Sequence, residues 1–127
     1  MNRGEQHDLP DAELAVLKKL WDLEAATIRQ LTDALYPDST DTYYATVQKL
    51  LDRLEVKRCV KRDRGSTPHV FHATVDRETI IGRRLESVAD KLCDGALTPL
   101  LTNLVRSKRL TAKERREIRK LMDELDK

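Results

Sequence analysis

Apolar residues recur with a helical period over most of the chain, and the one stretch that breaks the period is as informative as the rest. In LPDAELAVLKKLWDL, Leu14, Leu17, Leu20 and Trp21 share a face, and Pro10-Asp11-Ala12-Glu13 suits a helix N-terminus. A first helix is predicted over residues 10–23. After Glu24-Ala25-Ala26, Thr27 can cap a second helix that turns Ile28, Leu31 and Leu35 inward, and Pro37-Asp38-Ser39 ends it. Thr40 or Asp41 can cap a third helix, predicted from residue 42 to about residue 57. At about 100° per residue, Val47, Leu50, Leu51 and Leu54 form its core face. The opposite face carries Thr42, Ala45, Thr46, Lys49 and Arg53, with Asp52 at its margin.

The period then changes. Residues 59–64 and 69–75 are short β-prone runs joined by Gly65-Ser66-Thr67-Pro68, which reads as a hairpin. Phe71, Ala73 and Val75 alternate toward one side, and Lys61, Arg62 and Arg64 decorate the arm near the bend. Three helices followed by a basic hairpin is the order of a winged helix-turn-helix, whose third helix enters the DNA major groove beside the hairpin wing. The small, hydroxylic and basic outer face of the third helix suits close approach to bases, with phosphate contact further along. Thr42, Thr46, Lys49 and Arg53 are therefore candidate DNA contacts on the helix, and Arg62 and Arg64 on the wing.

From Asp76 onward the pattern is helical again, broken near Asp94-Gly95 and at residues 108–111. Its apolar stripes include Ile80, Ile81, Leu85, Val88 and Leu92, then Leu97, Leu100, Leu101 and Leu104, then Ile118, Leu121 and Leu125. Thr111 and Glu114 form a capping box for the last helix. About fifty residues in three amphipathic helices are too few to hide these stripes unaided. A second copy would cover them, with Ile81, Leu85, Val88, Leu100, Leu104 and Leu121 as candidate dimerisation residues. The expected organisation is mainly α with a small β-hairpin wing. A DNA-binding domain is expected over residues 1–75 and a helical dimerisation domain over 76–127. Two-fold symmetry would then require a palindromic operator in double-stranded DNA.

Composition narrows the partners. The 127 residues are 36% charged and 39% hydrophobic with a net charge of only +2, so bulk charge announces no nucleic acid. Its distribution does. From residue 42 to 64 seven basic residues (Lys49, Arg53, Lys57, Arg58, Lys61, Arg62, Arg64) face three acidic ones (Asp52, Glu55, Asp63), whereas the preceding segment is acidic. By charge alone, a solvated basic face without a partner fits equally well. The polar N-terminus predicts no signal peptide, and no run of about 18 apolar residues predicts membrane insertion. The two separated cysteines, Cys59 and Cys93, suit free thiols in a reducing cytoplasm.

The segments LPDAELAVLKKLW, ATIRQLTDAL, YYATVQKLLDRLEVK and RGSTPHVFHATVDRE, in that order, resemble the penicillinase-repressor family of bacterial transcription regulators. The resemblance runs from about Leu9 to Leu125. It implies a dimeric winged-helix repressor, inactivated by cleavage in the dimerisation domain through a membrane sensor protease. It places the reading helix on residues 43–53, with Thr46, Gln48 and Lys49 as contacts and Tyr44 as a further DNA contact at the helix entry, and the wing on residues 62–69. The family's cleavage point falls on Asn103-Leu104, where leucine replaces the usual aromatic. Arg58 stands where the family generally has glycine, so it either strains a left-handed turn or changes its shape. The chain ends LMDELDK, without the cysteine-rich tail of the family's copper-responsive branch.

Other chemistry is poorly supported. His69 and His72, three apart on a strand, point to opposite faces and make a weak metal site, and Cys59 reads as a buried thiol. Gly-rich phosphate loops, HExxH and carboxylate pairs beside a nucleophile are all missing, so neither an enzyme nor a cofactor is expected. Besides a DNA-binding repressor, a protein-interaction module with an acidic partner and a ligand- or redox-responsive regulator remain as alternatives.

Overall fold

Three helices, α1 (Asp11–Leu23), α2 (Ile28–Leu35) and α3 (Thr40–Val56), close around side chains that their helical spacing brings together. The computed structural model describes residues 9–126. Leu17, Leu20, Leu31, Val47, Leu51 and Leu54 are closed to solvent and Leu50 nearly so, which makes the predicted core face of the third helix the observed one. Thr27 caps α2 through a capping box with Gln30. The start of α3 differs from the expectation. Thr40 and Asp41 lie inside the helix, after an N-cap Ser39 that makes no side-chain cap hydrogen bond. The Thr40 hydroxyl instead donates to the Asp33 carboxylate on α2, and Asp41 sits in the first turn, where negative charge suits the helix dipole.

The hairpin is present and shorter than predicted, with β1 (Val60–Asp63) antiparallel to β2 (Val70–Ala73) and Arg62 opposite Phe71. Its other edge is held by Ala26, whose N–H donates to the Phe71 carbonyl at 3.0 Å and whose carbonyl accepts the Phe71 N–H at 2.8 Å. Phe71 is fully buried, so β2 is anchored both to the helical core and to the α1–α2 connection. The architecture is a winged helix-turn-helix.

α3 passes into β1 through a tight C-terminal turn. The Cys59 N–H donates to the Leu54 carbonyl at 2.9 Å and the Arg58 N–H to the Glu55 carbonyl at 3.0 Å, the paired bonds of a Schellman motif. Buried Leu54 and Cys59 supply its hydrophobic contact. Arg58 occupies the left-handed position, at φ 62°. Of the two alternatives open for this residue, the structure takes the strained left-handed turn. Lys57, just before it, reaches the nearly buried carboxylate of Glu13 on α1 at 2.6 Å, so the N-terminal end of α1 is tied to the C-terminal end of α3.

α4 (Arg77–Leu92), α5 (Thr98–Arg106) and α6 (Ala112–Leu125) complete the chain. The compact units divide between Leu85 and Glu86, ten residues after the boundary expected at 75/76. The reason is Ile80, which joins the first unit's core, and the Trp21 indole N–H, which donates to the Val75 carbonyl at 2.8 Å. In the second unit Thr111 and Glu114 form the expected capping box. Neither α5 nor α6 buries a residue, and Leu97, Leu104, Leu121 and Leu125 stand open to solvent.

A left-handed non-glycine residue is disfavoured by about 1–2 kcal/mol, part of which a glycine gives back through its more flexible unfolded chain. Arg58→Gly is expected to raise stability by roughly 1 kcal/mol, read as a shift of the urea midpoint at constant slope. An unchanged or lowered midpoint would contradict the strain assigned to this turn.

Candidate nucleic-acid interface

Beyond its core face, α3 presents Thr42, Ala45, Thr46, Gln48, Lys49 and Arg53, all exposed. Lys49 and Arg53 are one turn apart and, among the described residues, neither enters an ion pair. Two carboxylates on the same helix, Asp52 and Glu55, would offset them electrostatically. The wing answers both. Arg62 Nη2 lies 2.8 Å from Asp52 Oδ1, and Arg64 Nη2 lies 3.3 Å from Glu55 Oε2. Among the described residues, Lys49, Arg53 and Lys61 of α3 and the wing therefore enter no ion pair.

Both wing arginines, expected as DNA contacts, turn toward α3 here. Arg62 is the more deeply committed, with a side chain only 16% exposed and its guanidinium carbon 4.7 Å from the centre of the Phe71 ring. Its Nε is buried and has no hydrogen-bond partner among the described residues. The guanidinium thus covers the face of the residue that anchors β2, and one edge of it binds α3. Arg64, 60% exposed, makes the looser contact.

The N-terminal end of α3 is aromatic. Tyr43 stacks on Tyr36 with ring centres 4.0 Å apart, which ties it to the end of α2. Tyr44 is half-buried, with the guanidinium carbon of Arg29 5.7 Å from its ring centre. The sequence reading named neither partner, since nothing in the spacing pairs residues across two helices. Cys59 is buried among the core residues, and burial pushes its thiol above the ordinary range, against the opposing pull of Arg83 and Lys57. Such a thiol is a packing group.

The remaining predicted positions lie on the C-terminal helices. Ile81, Leu85 and Val88 form an exposed apolar row on α4, and Leu104 and Leu121 are exposed on α5 and α6. Leu100 is half-buried. Asn103 and Leu104 fall inside α5, where the Asn103 carbonyl accepts the Ser107 N–H at 2.9 Å. Beside the row on α4, Leu14, Trp21 and Ile80 line an open apolar cleft of about 330 Å³, which Ile81 and Leu85 continue.

The pattern that describes penicillinase repressors matches residues 9–124, nearly the whole chain. The protein belongs to the penicillinase-repressor family. The penicillinase repressor of Staphylococcus aureus is 21% identical over 126 residues, spanning 98% of each chain. Among solved structures, an E. coli MarR variant complexed with operator DNA is similar at 21% identity and a TM-score of 0.49, over 97% of this chain and 81% of its own. The family is one of transcriptional repressors, which is not an enzyme class. No described helix is long and apolar enough to cross a membrane.

If Arg62 holds the wing to the helix, its loss exposes Phe71 and unpairs Asp52. Arg62→Ala is expected to lower stability by about 1–2 kcal/mol, while Lys61→Ala on the neighbouring outward position stays within about 0.5 kcal/mol. Equal urea midpoints for the two variants would contradict the structural role of Arg62.

Proposed function

We propose that the protein is a dimeric, sequence-specific DNA-binding repressor in which α3 reads the major groove and the wing lies beside the backbone. The observation that carries this reading is the outer face of α3. Thr42, Thr46 and Gln48 offer hydroxyl and amide groups to base edges, and Lys49 and Arg53 keep their charge for DNA because the wing arginines occupy Asp52 and Glu55. A solvated basic face would not need its own carboxylates neutralised from a second element. The small residues Thr42, Ala45 and Thr46 on the outer face weigh against an acidic protein partner as the main ligand, since they let the helix approach base edges closely.

Dimerisation is supported by the second unit, whose helices leave Leu97, Leu104, Leu121 and Leu125 in water. A second copy packed on this surface explains why the stripes are there. Relief of repression by cleavage at Asn103-Leu104, triggered by a membrane sensor protease, belongs to the same proposal. Because that bond lies inside α5, a protease must first unwind the helix, which makes local opening of α5 part of the switch. A repressor that stays intact in induced cells while its targets switch on would rule cleavage out.

Binding to fragments of the gene's own upstream region, challenged with random DNA, tests the central reading. The expected result is binding that outlasts the competitor and a two-fold footprint with half-sites about 10 bp, or a multiple of that spacing, apart. Binding that random DNA abolishes equally would leave only a basic surface. For the dimer, Leu104→Asp is expected to weaken self-association by about 100-fold in sedimentation equilibrium and operator binding with it. A variant that remains as dimeric as the wild type would remove α5 from the interface.

A further inference from the structure

Arg29 is a cation outside both the reading helix and the wing. Arg29 is exposed near the start of α2, and among the described residues no carboxylate pairs with it. It is nevertheless placed, because its guanidinium stands 5.7 Å from the centre of the half-buried Tyr44 ring. An aromatic contact of this kind leaves the guanidinium N–H groups available and restricts a long side chain that would otherwise roam. Around the axis of α3, Tyr44 falls about 40° from Gln48 and about 20° from Glu55, the carboxylate bound by the wing. The Arg29 guanidinium and the wing therefore border the same flank of α3, one near its N-terminal end and the other near its C-terminal end. In helix-turn-helix complexes the helix before the reading helix crosses the phosphate backbone, and α2 is that helix here.

We propose that Arg29, oriented by the ring of Tyr44, binds a backbone phosphate of duplex DNA and is a principal phosphate contact of this flank, in the role first assigned to Arg62. This rests on the DNA-binding reading and extends it to a residue outside the predicted site. The ligand group is a phosphodiester, so the contact adds affinity on every sequence and specificity on none.

The test measures binding of the full-length protein to a duplex from its own upstream region and to a random duplex of equal length, between about 50 and 200 mM salt. One lost phosphate contact lowers the salt slope by about 0.9, so the wild-type advantage over Arg29→Ala should shrink about threefold across that range on both duplexes. Arg29→Lys, which keeps the charge, should retain the wild-type slope. Tyr44→Leu should weaken binding in the wild-type background and have little further effect in Arg29→Ala, a non-additivity that a purely structural tyrosine would not produce. An Arg29→Ala slope equal to wild type overturns the phosphate contact, and additive losses overturn its orientation by Tyr44. If the wild type itself shows no salt-dependent binding to either duplex, the DNA-binding reading fails, and the assignment of Arg29 fails with it.

Discussion

A single guanidinium connects the wing to α3. Arg62 lies over the buried Phe71 ring and grips Asp52 of α3, so the wing cannot shift without uncovering the core or breaking the ion pair. The consequences run in both directions. Phe71 ties β2 to Ala26 and to the helical core, which gives the wing a rigid base. Asp52, once occupied, no longer opposes Lys49 and Arg53, which lie on the same helix. Packing and electrostatics are therefore solved by one contact, and the looser Arg64–Glu55 pair repeats it one step further along the hairpin.

Much of this fold was legible as periodicity. The core face of α3, the cap at Thr27, the capping box at Thr111 and the hairpin between Cys59 and Val75 all depend on residues close in sequence. Contacts between elements were not legible in the same way. Asp52 and Glu55 are three apart on a helix, about 4.5 Å along its axis, and Arg62 and Arg64 are two apart along the hairpin, about 6.7 Å if extended, with Arg64 just past β1. Those spacings match well enough for two parallel ion pairs, so the signal was present. It could be read only once the hairpin was known to fold back along the helix. The Glu13–Lys57 pair, which spans 44 positions, left no such trace.

The change of sequence pattern and the division into compact units fall at different places. Charge and hydrophobic pattern change at Asp76, where α4 is about to begin, but a helix start is not the end of a core. Ile80 continues to pack with the winged helix, and the division comes only past Leu85. The first unit has a buried core, whereas among the described residues α5 and α6 bury no side chain. That asymmetry is the physical basis of the proposed dimer, since the second unit has apolar surface to offer a partner.

The arrangement of wing and helix is best tested by nitrogen-detected NMR of the arginine guanidinium groups, free and with a saturating duplex. A clasp that stays closed predicts restrained Arg62 signals in the free protein that hardly move on DNA binding, while those of Arg53 shift. Mobile Arg62 signals that shift together with those of Arg53 would mean that the guanidinium leaves Asp52 for phosphate, and the wing would then be positioned by DNA instead of by the fold.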